Sequence, residues 1–84
     1  MFYVYILHSQ AFDKYYVGQT KDLQVRLRHH NAGLDRFTKK YLPWELLFYV
    51  VKDSRSGAIC LERKLKNLSK LRLQQFITRH IKEH

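Results

Sequence analysis

Two short runs of aromatic and β-branched residues stand near the start of the chain, at residues 3–7 and 15–18. Each run is too short for a helix, and the residues between them are mostly polar. This pattern predicts the two strands of an antiparallel hairpin. A third run, residues 44–51, follows Pro43 and predicts a third strand beside the hairpin.

Apolar residues recur at helical spacing in three other segments. After Thr20 or Asp22 as N-cap, the first predicted helix runs to about His30 and ends at residues 31–33. The second, residues 57–67, follows Ser54 or Ser56 as cap; its inner stripe is Ala58, Leu61, Leu65 and Leu68. The third follows Ser69 and runs to about residue 82; its inner stripe is Leu73, Phe76, Ile77 and Ile81.

The predicted order of elements is therefore ββαβαα, with a turn at residues 18–21. The basic segment at residues 34–42 is predicted to be a loop or a poorly ordered turn of helix. We expect a small α/β (α+β) fold, in which helices flank a three-stranded, mainly antiparallel sheet. A chain of 84 residues has room for one domain, so residues 1–84 are assigned to a single domain.

Composition narrows the functional classes. The chain is 45% hydrophobic and 14% aromatic, which excludes a disordered protein. Sixteen basic and seven acidic residues give a formal net charge of +9. A folded domain this basic attracts polyanions, of which nucleic acid is the commonest. The alternative is a charge that serves solubility alone.

Other classes receive little support from the sequence. The single cysteine, Cys60, lies in an apolar context and is predicted to be a small buried residue in a reducing compartment. Cysteine and histidine pairs at zinc-binding spacing are absent from the sequence, and no apolar run is long enough to span a membrane. We therefore expect a cytoplasmic protein without a membrane partner.

Arg26 and Glu62 are the charged residues whose positions suggest chemistry. Arg26 lies four residues after Asp22 and four before His30, so the three share one flank of the first helix. The alternative for Arg26 is a surface ion pair with Asp22. Glu62 is the only acidic residue in residues 54–82. It could hold a divalent cation together with waters and a phosphate, or it could simply pair with Lys66.

Basic residues around the last two helices suggest a phosphate-binding surface. Arg63, Lys64, Lys66, Lys70 and Arg72 are interleaved with leucines, and only Glu62 offsets their charge. The alternative is a solvated helical face. The residues predicted to contact nucleic acid are Lys21, Arg63, Lys64, Lys66 and Lys70.

The amino-acid sequence of the predicted hairpin resembles that of a known family. Tyr3-Val4-Tyr5, followed by Tyr16-Val17-Gly18, is similar to the paired motif that gives the GIY-YIG nucleases their name. The segment from Gly18 to Arg26 matches the family's turn and arginine-bearing helix, and Glu62 fills its glutamate position. The match is to the domain of the excision-repair nuclease subunit and to small stand-alone members. The chain departs from the pattern in two places, because Tyr3 replaces a glycine and Asn67 follows Glu62 too closely for the family's late asparagine.

The resemblance implies metal-dependent hydrolysis of DNA phosphodiester bonds. It assigns a divalent metal, Mg²⁺ or Mn²⁺, to Glu62 and charge stabilisation on the scissile phosphate to Arg26. It gives water activation or positioning to Tyr5 and Tyr16, with His30 as a candidate proton carrier. The alternative for His30 is a partly buried histidine whose ring nitrogens are satisfied by hydrogen bonds. A tyrosine has a pKa near 10, and we expect Arg26 and the metal to lower it.

The function expected from these observations is a metal-dependent endonuclease, acting on DNA in preference to RNA and selecting branched, damaged or single-stranded forms. Such a role would belong to repair or recombination. One alternative is a nucleic-acid-binding module that keeps the fold without cleavage. Another is a subunit that reaches its target only through a partner protein.

Overall fold

A three-stranded antiparallel sheet forms the middle layer of the molecule, with β1 in its centre. The computed structural model describes residues 1–82. The strands are β1 (Phe2–Ser9), β2 (Lys14–Thr20) and β3 (Glu45–Lys52). The helices are α1 (Leu23–Asn31), α2 (Arg55–Lys66) and α3 (Lys70–Lys82), with a short 3-10 helix at Thr38–Tyr41. This ββαβαα order and the α+β fold confirm the sequence-based prediction.

The hairpin register places Tyr5 directly opposite Gly18 and Leu7 opposite Tyr16. Directly opposed residues project from the same face of an antiparallel sheet, so these four residues share one face. The predicted turn at residues 18–21 is wrong in its first part. Residues 18–20 continue β2, because they pair with residues 3–5 of β1.

Helices cover both faces of the sheet. On the face that carries Tyr5, helix α1 packs through Leu23 and Leu27. His30, near the end of the same helix, is fully buried. Val4, Ile6 and Val17 project from the opposite face and pack against Ala58 and Leu65 of α2 and Leu73 and Ile77 of α3.

The helices begin where polar caps predict. The Asp22 carboxylate accepts from the Val25 backbone N–H at the start of α1. The Ser54 hydroxyl accepts from the Gly57 N–H at the start of α2, and the Ser69 hydroxyl accepts from the Arg72 N–H at the start of α3. These bonds satisfy N–H groups that have no partner inside the helix.

Two residues predicted to be buried are exposed. Successive residues of a helix are about 100° apart around its axis. Cys60 therefore lies roughly 200° from Ala58, which is on the inner stripe of α2, and is exposed. Ile81, in the last turn of α3, is 58% exposed. Within the described residues, none of the helices combines the length and apolar character that a bilayer-spanning segment requires.

Candidate active site

The hydroxyl of Tyr5 is at the centre of the candidate site. Tyr5 is only 2% exposed, and its ring extends across β2 at Gly18. A Cβ at Gly18 would lie 2.6 Å from Tyr5 Cζ and closer still to the hydroxyl oxygen, well inside contact distance. Glycine at this position is therefore required by the tyrosine on the neighbouring strand.

Arg26 approaches Tyr5 from helix α1. Burial lowers the pKa of Arg26, but the neighbouring Tyr5, Tyr16 and Asp35 together raise it above its ordinary value. The Arg26 guanidinium lies 3.7 Å from the Asp35 carboxylate. The alternative ion pair with Asp22 is not formed, because the Asp22 carboxylate caps the helix instead.

His30 lies on the other side of the Tyr5 hydroxyl, one turn further along α1. Its Nε2 is 3.0 Å from the Tyr5 oxygen, and its Nδ1 is 2.8 Å from the Thr38 hydroxyl. Burial and the nearby Arg26 charge lower the pKa of His30, so its ring is neutral at pH 7. Both ring nitrogens are thus hydrogen-bonded in a fully buried environment.

The bonds around His30 define a polar network. The Thr38 hydroxyl bonds to Nδ1 of His30, and the Tyr5 hydroxyl bonds to Nε2. The Asp35 carboxylate accepts from the backbone N–H groups of Thr38 and Phe37 and pairs with Arg26. The bonds from Thr38 and Phe37 lower the pKa of Asp35, which stays ionised.

Tyr5 does not have the lowered pKa that was expected from its arginine neighbour. Burial raises the pKa of Tyr5 to about 12, although the hydrogen bond and charge of Arg26 act in the opposite direction. Nearby Tyr16 and Glu62 raise it further. In this structure burial outweighs Arg26, and Tyr5 is a hydrogen-bonding phenol at neutral pH.

Tyr16 is half-buried and lies beside this network. Its ring centre is 5.0 Å from that of His30 and 6.4 Å from that of Tyr5. Tyr16 also raises the pKa of both Arg26 and Tyr5. Of the two motif tyrosines, Tyr16 is the more exposed.

Glu62 reaches the site from α2, on the other side of the sheet. Gln19 Nε2 donates to one carboxylate oxygen at 3.4 Å, and the Lys66 ammonium lies 3.4 Å from the other. The pairing with Lys66 that the sequence left as an alternative is therefore present. Both contacts are at the long end of hydrogen-bonding distance, so the carboxylate keeps the capacity to accept further bonds.

A metal site here would rest on Glu62. Within residues 1–82, no group of three or more His, Cys, Asp or Glu side chains is placed to hold a metal ion. A single carboxylate fits Mg²⁺, which commonly keeps several waters and binds through one or two carboxylates plus substrate phosphates. A buried cage of protein ligands does not fit this surface.

Lysines extend the site along the outer edge of β2. A groove of about 350 Å³ runs between this edge and the turn from α2 to α3, and Lys14, Lys66 and Lys70 line it together with Tyr16. Lys66 lies about 40° around the helix from Glu62, whereas Lys64 lies about 200° away on the other flank. Among the predicted contact residues, Lys66 and Lys70 are brought together and Lys64 is not.

The other two predicted contacts take different positions. Lys21 stands over the ring of Phe2, 5.4 Å from its centre, together with Arg55 at the same distance. Arg63 is exposed and, about 100° from Glu62, points away from the core. Lys21 therefore lies beyond the end of β2, and Arg63 lies outside the groove.

Three residues of the site were not predicted from the sequence. Asp35 and Thr38 lie in a segment without periodicity, and Gln19 was assigned to a turn. A local signal for Asp35 does exist, because an aspartate that accepts from N–H groups two and three residues later is a common turn former. No comparable signal connects Thr38 to His30, since their contact depends on how the loop folds back over α1.

Comparison with known proteins gives one family. A family model described as the GIY-YIG catalytic domain matches residues 1–75. A UPF0213 protein of Streptococcus pyogenes serotype M5 (strain Manfredo) is 41% identical over 84 residues, covering 96% of this chain and 89% of the relative. A UPF0213 protein of Streptococcus pyogenes serotype M1 is 41% identical over 85 residues with the same coverage.

A solved structure has a similar fold. The solution NMR structure of a UPF0213 protein from Bacillus halodurans superposes with a TM-score of 0.60 at 29% sequence identity. The match covers 93% of this chain and 84% of that one. The names of these relatives state no activity, so functional inference depends on the family and on the geometry of the site.

Proposed function

Because the chain belongs to the GIY-YIG family, whose catalytic-domain model spans residues 1–75, we propose that it is a metal-dependent endonuclease that hydrolyses phosphodiester bonds in DNA. Three parts of this proposal rest on the family resemblance. They are the choice of DNA over RNA, the use of Mg²⁺ or Mn²⁺, and a substrate recognised by its structure during repair or recombination. Three further points stay predictions. They are that the protein is cytoplasmic, that the whole chain forms a single domain, and that a protein partner helps it to reach its target.

One observation carries the proposal. His30 bonds to the Tyr5 hydroxyl, the Tyr16 ring lies beside both, and Arg26 and Glu62 both influence the pKa of Tyr5. A cation, a neutral imidazole, a half-buried phenol and a carboxylate in one region of the fold meet the needs of phosphoryl transfer. Charge must be stabilised on the phosphate, and a water must be oriented and lose a proton.

Burial divides the work between the two tyrosines. Tyr5 is buried with its pKa near 12, and its bond to His30 suits it to position that group. Tyr16 is only half-buried, so it is the tyrosine that contacts the attacking water. Arg26, held by Tyr5 and Asp35, neutralises the charge that develops on the phosphate.

Glu62 would hold the metal, with waters and substrate phosphate completing its coordination. When bound, the metal supplies electrostatic stabilisation of the phosphate and of the leaving oxygen. The lysine-lined groove along β2 would bind the neighbouring phosphates.

The test is cleavage of labelled single-stranded, duplex, flapped and branched DNAs by pure protein with Mg²⁺, Mn²⁺ or chelator. We expect Glu62→Ala to abolish metal-dependent cutting while binding measured in chelator is kept, because the change removes no positive charge. Lys64→Ala, on the opposite flank of α2, is the matched control and should cut at the wild-type rate.

The same assay examines Tyr16. Tyr16→Phe should cut roughly 10²- to 10⁴-fold more slowly if its hydroxyl orients or deprotonates the attacking water.

Cutting that survives Glu62→Ala would overturn the metal assignment. Binding without cutting by the wild-type protein would favour a non-catalytic module or a missing partner.

A further inference from the structure

A row of aromatic rings leads away from the candidate active site over the surface. Phe37 stacks on Tyr16 with ring centres 6.1 Å apart and planes at 30°. Tyr41 lies 5.4 Å from Phe37, and Phe12 lies 5.4 Å from Tyr41. Phe12, Phe37 and Tyr41, here called the aromatic row, thus connect Tyr16 to the turn of the hairpin.

The outer rings of the row face solvent. Phe12 is 51% exposed and Phe37 is 48% exposed. Single exposed apolar side chains are common, but adjoining exposed aromatic rings form a patch of the kind that marks a binding surface. The competing interpretation is that these rings pack on one another only to hold two loops together.

Positive charge surrounds the row. The ammonium group of Lys14 stands 5.6 Å from the centre of the Tyr41 ring. Arg36, Lys39 and Lys40 are exposed in the segment that carries Phe37 and Tyr41. Asp13, beside Phe12, is already engaged by Lys70 at 2.8 Å and by His8 at 3.1 Å. The local field therefore favours an anionic ligand.

We propose that the aromatic row binds an unpaired nucleobase by stacking, beside the phosphate that the active site cleaves. Flat rings flanked by cations suit a base and its phosphates, since every base has a π-face and stacking tolerates any sequence. A base within a duplex has both faces covered and cannot use the row. The position next to the scissile bond rests on the proposed function; the binding itself does not.

The experiment is equilibrium binding of the full chain in chelator, followed by fluorescence anisotropy. The probes are a short single-stranded DNA, the RNA of the same sequence and the blunt DNA duplex. We expect Phe37→Leu and Phe12→Leu each to weaken single-strand binding, within the roughly 5- to 150-fold range that loss of one stacking partner produces. Duplex binding should change less than about two-fold. Leu71→Ala, which removes a 63% exposed apolar side chain on α3, is the control and should leave all three affinities unchanged.

A spectroscopic measurement separates stacking from loop packing. A 2-aminopurine in the single strand should be quenched by the wild-type protein and less so by both leucine variants, while thermal unfolding shows that the variants are folded. Unchanged quenching in both variants, or an equal loss of duplex binding, would overturn the proposal.

The RNA probe shows whether the base comes from DNA or RNA, and the chelator separates binding from cleavage. Preference for RNA over DNA would support the stacking site and identify the sugar it accepts. Because metal is chelated throughout, a failure to cut DNA in the cleavage assay would leave this result standing.

Discussion

Gly18 leaves the space that the ring of Tyr5 occupies. Since the two residues are paired in the hairpin, neither can move without loss of strand pairing. We expect Gly18→Ala to lower the free energy of unfolding by about 1 to 3 kcal/mol, as is typical when a side chain is forced into a packed region. Urea unfolding measures this directly.

Gly57→Ala is the matched control for that change. A Cβ at Gly57 would lie 3.2 Å from the Ser54 hydroxyl, and alanine favours a helix over glycine. The free energy of unfolding should therefore change by less than about 1 kcal/mol. Equal losses in the two variants would show that the Tyr5 contact has no special cost.

His30 makes the stability of the protein depend on pH. Burial holds its pKa below the ordinary value of 6.5, so below pH 6.5 the unfolded chain takes up a proton before the folded protein does. The unfolded state then binds more protons, and the free energy of unfolding falls as the pH falls from 7 to 5. The lowered pKa of Asp35 adds a further loss below about pH 4.

Urea unfolding at a series of pH values tests this dependence. His30→Gln should be less stable at pH 7 and should show a flatter profile between pH 5 and 7. His29→Gln, which removes a smaller contribution to the lowered pKa of His30, should flatten the profile much less. A profile that stays as steep in His30→Gln would exclude His30 as its source.

At the scale of elements, Asn31 fixes the end of α1 to the start of β3. Its side-chain amide donates to the Trp44 carbonyl at 2.9 Å and accepts from the Trp44 N–H at 2.7 Å. We expect Asn31→Ala to lower the free energy of unfolding by about 1 to 3 kcal/mol, because two backbone groups lose their partner.

Denaturant unfolding also supplies the comparison for Asn31. Asn67→Ala changes the C-cap residue of α2, which is exposed and bonds to the helix through its backbone N–H. Its effect should stay within about 0.5 kcal/mol. A similar small effect for Asn31→Ala would mean that α1 is held by its apolar face alone.

The elements were largely predictable because their signals are local. The hairpin, the third strand and the three helices follow from periodicity and from caps such as Asp22 and Ser69. The extension of β2 through residues 18–20 was missed because their turn-like composition was read without the partner strand. Thr38 could not be assigned, since its bond to His30 exists only once the loop lies over α1.

For the site, the resemblance identified Tyr5, Tyr16 and His30, which the fold brings close together, but it did not give their environments. Tyr5 and Tyr16 look alike in the sequence, yet one is buried with a pKa near 12 and the other is half-exposed. Burial is a property of the assembled layers, and a strand pattern does not separate two tyrosines on the same face.

At the scale of the whole molecule, the net charge of +9 predicts salt-sensitive binding to nucleic acid. In chelator, the logarithm of the affinity for single-stranded DNA should fall linearly with the logarithm of salt concentration, with a slope of about −0.7 per phosphate neutralised. Lys66→Gln, in the β2 groove, should reduce the magnitude of that slope by about 0.7.

Lys64→Gln removes the same charge from the opposite flank of α2 and should leave the slope nearly unchanged. Anisotropy titrations at four or more salt concentrations give both slopes. Equal effects of the two changes would mean that the whole basic surface, and not the groove, binds phosphate.

The pairing of Tyr5 with Gly18 also separates what can vary in this protein from what cannot. A shift of one residue within either strand would turn every following side chain to the other face and dismantle the site. The side chains of the turn at residues 10–13 are less restricted, because they lie outside the ladder, which ends at the pair of Ser9 and Lys14. That turn carries Phe12. Replacements there would reshape the surface next to the reacting groups while the groups themselves stay in place, which gives evolution or a protein engineer a way to change selectivity without rebuilding the chemistry.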